Sequence, residues 1–80
     1  MKIRPIGTNM TVLEVGTDEI FFSYEMPVAA WIKGKCYKTS YKHSSTTGRH
    51  INKFLDGRRA VEMSQQFFDD LIKDEDGMFD

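Results

Sequence analysis

The chain reads as an α+β domain, a small antiparallel sheet of about four strands followed by two short helices packed on one face. Three observations predict it. In the first half, apolar residues fall in short runs rich in β-branched and aromatic side chains, separated by turn formers. From residue 44 the apolar spacing changes to that of a helix. A chain of 80 residues can form one hydrophobic core and cannot support two.

The first strand is Thr11 to Val15, and Gly16-Thr17-Asp18 makes a short turn into its antiparallel partner, Ile20 to Tyr24. Pro27 can open a third strand, where a missing N–H is tolerated, and Val28 to Lys33 continues it. Lys33-Gly34-Lys35 then turns the chain into a fourth strand, Cys36 to Tyr41. These four segments form a meander. In the second half, Thr47, Ile51, Phe54 and Leu55 recur at i, i+4, i+7, i+8 and share one helical face. Ser44, Ser45 and Thr46 supply caps, and Gly57 stands where a left-handed residue ends the helix. A second helix starts after Ser64, whose hydroxyl caps it, with Met63 and Phe68 placed as a hydrophobic staple. Phe67, Phe68, Leu71 and Ile72 make its buried stripe. Residues 1–73 are therefore expected to form the domain. Residues 74–80, with too few apolar groups to offset the entropy of ordering, are expected to be a flexible acidic tail.

Composition narrows the class. With 40% hydrophobic, 12% aromatic and 29% charged residues the chain carries enough apolar material to fold. Its small core leaves little surplus stability, which makes a homodimer a natural remedy. No run approaches the length of a membrane span and the first residues lack a signal-like apolar run, so a cytoplasmic location and no membrane partner are expected. Cys36 is the single cysteine, which excludes an internal disulfide and suits a reducing compartment, where it serves as a small packing residue. His43 and His50 lack a convergent Cys, Asp or Glu, so no metal, no cofactor and no catalytic residue is assigned, and the chain is not expected to be an enzyme.

Two segments carry a resemblance. Ser23-Tyr24-Glu25-Met26-Pro27-Val28-Ala29 and Thr46-Thr47-Gly48-Arg49-His50-Ile51-Asn52-Lys53 resemble the Ser-Tyr-x-x-Pro-Val-Ala and Thr-Thr-x-x-His-Ile-Asn-Lys segments of a family of small uncharacterised proteins from tailed phages and environmental sequences. The resemblance spans residues 20–57, with Phe54 in a position where that family carries tryptophan. It brings no activity and implies provenance: a phage-type gene acting in a bacterial host cytoplasm.

Net charge is −1, but its distribution is uneven. Residues 1–32 carry two bases against four acids. Residues 33–59 carry eight bases against Asp56 alone, and residues 60–80 carry Lys73 against seven acids. The basic segment has the charge and the aromatics that nucleic acid recognition uses. Lys38, Lys42, Arg49, Lys53, Arg58 and Arg59 are the candidate phosphate contacts. Tyr37 and Tyr41, at strand spacing i, i+4, are the candidate stacking residues; if they point into the core instead, the lysines become a solvated face. Ser44 to Gly48 at the helix start offer hydroxyls and free N–H groups to an anion, though capping alone also explains them. The acidic end with Phe79 resembles the tails of phage and bacterial single-strand-binding proteins, and equally suits a merely solubilising tail.

The expected function is thus a non-catalytic phage-type accessory protein binding nucleic acid through residues 33–59. The alternative is a small phage-encoded protein that binds and modulates a host protein, through residues 69–80 or a hairpin edge. A virion component, revealed by a defined higher oligomer, is a third class.

Overall fold

The computed structural model describes the backbone of residues 2–79 and the side chains of residues 2–73. Six strands and two helices follow one another as β1 (Lys2–Gly7), β2 (Met10–Val15), β3 (Asp18–Ser23), β4 (Met26–Ile32), β5 (Lys35–Thr39), α1 (Ser45–Leu55), β6 (Ala60–Met63) and α2 (Gln65–Phe79). The strands lie in one sheet in chain order, antiparallel throughout except for β6, which runs parallel to β5. The expected acidic tail at 74–80 concerns side chains outside the described residues.

Tight loops build the meander. Gly16 opens the β2–β3 loop at φ 61°, the left-handed conformation that a two-residue hairpin loop demands there. Tyr24 adopts φ 59° in the next loop without being glycine, and its N–H donates to the Asn9 carbonyl at 2.7 Å, tying two neighbouring loops together. At the following loop the Lys33 N–H donates to Asp18 Oδ1 at 3.0 Å. A register shift between Phe21 and Phe22 leaves Val28 as an extra residue in β4, a bulge of the kind that bends a strand.

The sheet has six strands where the sequence predicted about four. The first addition, β1, escaped because Pro5 interrupts it; proline is tolerated there since β1 is an edge strand, and the ladder shifts register between Pro5 and Gly7. The second, β6, has only four residues and no alternation of buried and exposed positions. Its pairing to β5 across the intervening α1 makes it a strand.

The helices also lie on opposite faces of the sheet, not on one. Successive side chains of a strand point to opposite faces, so the registered rows can be followed across the sheet. Met10, Val12, Phe21, Val28, Ala29 and Cys36 join Ile51, Phe54 and Leu55 of α1 in one core cluster, with Phe21 stacked on Phe54 at 4.8 Å between ring centroids. The alternate row, Leu13, Ile20, Ala30 and Tyr37, faces the other way, and there Phe67 of α2 meets Tyr37 at 5.5 Å. Phe68 beside it is fully buried. Both faces of the central strands are therefore covered, which is why Val28, Ala29 and Ala30 are all wholly buried.

The four stripe positions Thr47, Ile51, Phe54 and Leu55 are the buried residues of α1. Ser44 caps it, its hydroxyl accepting from the Thr47 N–H at 3.2 Å. Asp56 and then Gly57 take left-handed φ values of 50° and 82° and stop the helix. Ser64 caps α2 by accepting from the Phe67 N–H at 3.3 Å.

Candidate nucleic-acid interface

The basic residues are positioned by β5, α1 and the bend between them. β5 ends at Thr39, and the Ser40 N–H then donates to the Met63 carbonyl at 2.8 Å, tethering the bend to β6. The next residue, Tyr41, donates its N–H to Thr39 Oγ1 at 3.2 Å, and its ring meets His43 edge-on at 4.7 Å. His43 is itself fastened from across the sheet: its Nε2 donates to Gln65 Oε1 at 2.9 Å. Gln65 is a hub, because its amide nitrogen donates to the Pro27 carbonyl at 2.7 Å, which turns its oxygen toward His43 and toward the Thr39 hydroxyl at 3.0 Å.

The bend, β5, β6 and the near flank of α1 enclose an open cleft of about 460 Å³. Lys38 and Glu62, opposed in the β5–β6 register, belong to its floor. Gly48 and Asn52 line its α1 wall, and Tyr41 and Lys42 line it from the bend. Tyr41 is 62% exposed.

The other predicted residues lie outside the lining of this cleft. Arg49 and Lys53 are exposed on α1 one turn apart, away from the buried stripe. Arg59 is exposed past the helix end. Arg58 is engaged by the fold: its guanidinium donates to the Leu55 and Phe54 carbonyls at 2.8 and 2.7 Å and lies over the Trp31 ring at 5.0 Å. That closes the C-terminal end of α1. The paired-tyrosine arrangement does not form. Because β5 stops at Thr39, Tyr37 and Tyr41 are not on one strand face, and Tyr37 is half-buried against Phe67.

The far flank of α1 is docked on β3 by polar contacts near its start, and toward its end an open pocket of about 470 Å³ lies between Lys53, Phe54 and Asp56 and the strand residues Arg4, Ile6, Val12 and Glu19. Ser23, only 2% exposed, meets His50 Nδ1 at 2.8 Å and Thr47 Oγ1 at 3.2 Å, and the exposed Tyr24 ring leans on His50 at 5.8 Å. A serine beside a histidine invites a nucleophile reading, but a hydroxyl this buried cannot meet a substrate; it docks α1 on β3. Further along, Arg4 bridges Glu14 at 2.7 Å and Glu19 at 3.1 Å. The hydrogen bond to Glu14, with help from the charge of Glu19, raises the Arg4 guanidinium above its ordinary pKa. Cys36 is buried in the core, the packing role expected of it.

Ser44, Ser45, Thr47 and Gly48 of the helix start, which the sequence offered to an anion, line this cleft. His43 and Gln65 were not singled out for it, and Gln65 gave no signal. Among the described residues no group of three or more His, Cys, Asp or Glu side chains gathers, and no helix is long and apolar enough to cross a membrane.

These features define a small α+β domain whose sheet lies between two helices and which opens a basic cleft beside the first of them. The chain belongs to the family of unknown function DUF8033, whose model matches residues 1–70. An uncharacterised family is also what the resemblance over residues 20–57 implied. Comparison with curated proteins and with solved structures gave no match.

Proposed function

We propose that this protein is a non-catalytic accessory protein that binds nucleic acid through the cleft beside α1, with the exposed bases of α1 extending the surface. The observation that carries this reading is the meeting of Lys38, Tyr41 and Lys42 in one open cleft of about 460 Å³. Lysines supply the attraction to phosphate, and an exposed aromatic ring supplies a surface for a base. Arg49, Lys53 and Arg59 add exposed charge, Lys53 from the flank of α1 that faces Arg4 and Glu19, whereas Arg58 and Tyr37 are engaged within the fold and drop out of the contact set. The phage-type resemblance extends the proposal to a phage-encoded protein acting in a bacterial cytoplasm.

Fluorescence anisotropy with labelled oligonucleotides at low and moderate salt tests it. Binding should weaken steeply with salt, and each phosphate contact removed at Lys38, Lys42, Arg49 or Lys53 should lower the slope of log affinity against log salt by about one unit. Affinity and slope unchanged in a Lys38→Ala/Lys42→Ala variant would place the interface elsewhere.

A second reading, a module that binds a host protein, draws support from the opposite face. Ile3, Thr11, Leu13, Phe22, Tyr24 and Glu25 line a largely apolar groove of about 290 Å³. Nuclease-insensitive capture of one host protein, lost in an Ile3→Asp variant, would favour that function over the first.

A further inference from the structure

We propose that the cleft selects single-stranded nucleic acid, seating one unpaired base on the Tyr41 ring while the adjoining backbone passes close to Gly48. The inference rests on the nucleic-acid reading above and adds to it the state of the strand and the residues that impose it.

The first argument is the support behind Tyr41. An exposed tyrosine usually has freedom of rotation to lose when it binds. Here Tyr41 is 62% exposed, yet its ring is braced edge-on by His43, His43 is fixed by Gln65, and Gln65 is fixed by the Pro27 carbonyl. The brace reaches back to the central strand β4, so the ring is arranged before a ligand arrives and less entropy is lost on stacking. The face of a base is available to such a ring only when the base is unstacked, as in a single strand, a loop or an end; in a duplex both faces are covered. A cleft of about 460 Å³ also has room for a nucleotide and its phosphate.

The second argument is Gly48. It lies inside α1, where glycine is less favourable than alanine. Beyond its own turn of helix backbone and its chain neighbours, no protein atom lies within 4 Å of the place a Cβ would occupy, so packing within the protein does not require the bare backbone. Gly48 lines the cleft. Its missing side chain leaves that wall open to close approach by a ligand, and this is a use to which glycine is regularly put.

Gln65 acts through His43 and is a positioning residue; Tyr41 is the residue that touches the base. Lys38 and Lys42 line the same cleft and hold the neighbouring phosphates.

The test uses the full chain with labelled oligothymidylate and with its duplex with oligoadenylate, at low salt. The single strand should bind about ten-fold or more tightly than the duplex, and Tyr41→Ala should lose about ten-fold or more of the single-strand affinity while leaving the duplex little changed. Tyr41→Phe should restore it. Gly48→Ala should raise the melting temperature and yet weaken single-strand binding. Gln65→Met should weaken single-strand binding without changing its salt slope, and should add nothing further in a chain that already carries Tyr41→Ala. Equal or tighter duplex binding, or single-strand binding indifferent to Tyr41→Ala, overturns this inference and leaves the nucleic-acid reading standing. Absence of binding to both forms at low salt overturns the two together.

Discussion

The two flanks of α1 are built on different plans. Toward β3 the helix is docked by packing and hydrogen bonds: Phe54 stacks on Phe21, and Thr47 and His50 share the Ser23 hydroxyl. Toward β5 and β6 the same helix presents Gly48 and Asn52 to an open cleft whose other walls carry Lys38 and Lys42. One helix therefore serves as a core element along one side and as the wall of an open cleft along the other. Polar residues in a protein of this size have both uses, and the partner across the gap tells them apart.

Breaking the docked flank should have the largest effect. Phe21 is fully buried against Phe54, and Phe21→Ala is expected to cost about 3–5 kcal/mol in chemical denaturation, enough to unfold much of the population. Ser23→Ala removes the hydroxyl between Thr47 and His50 and is expected to cost about 1–3 kcal/mol, with oligonucleotide affinity preserved once folding is allowed for. A change in affinity at unchanged stability would show that the two flanks are coupled.

Two adjacent arginines sharpen the contrast. Arg58→Ala should cost about 1 kcal/mol or more, since the guanidinium closes the helix end and covers Trp31. Arg59→Ala should alter stability by less than about 0.5 kcal/mol and reduce the salt slope of binding by about one unit. On the open flank the sign reverses: Gly48→Ala should stabilise the fold by about 0.5–1 kcal/mol in the same denaturation experiment.

Where structure is decided locally, the sequence was a good guide. The stripe Thr47, Ile51, Phe54, Leu55 is the buried face of α1, and Ser44, Gly57 and Ser64 stand at helix ends as their chemistry requires. The placement of helices on both faces was missed, although the buried run Val28-Ala29-Ala30 fits a strand covered on two sides. Strand β6 was not legible, because four residues become a strand only through a partner reached across α1. The site divides in the same way. Lys38, Tyr41 and Lys42 could be named from composition, whereas Gln65 could not, since its bonds to His43, Thr39 and Pro27 span 22, 26 and 38 residues. Tyr37 was misplaced because periodicity extended β5 past Thr39, where the bend begins.

The parallel pairing of β5 with β6 also bears on the order of assembly. β2 through β5 are joined by two-residue loops, so their contacts close over short stretches of chain, while β6 can pair only after α1 has formed and the longer connection has closed. We predict that β6 docks late and opens first under native conditions, so that its amides exchange with deuterium ahead of those in β3 and β4. Because β6 contributes a wall of the cleft, an oligonucleotide should slow that exchange, and the binding site would then be the last part of the molecule to mature and the first to come apart.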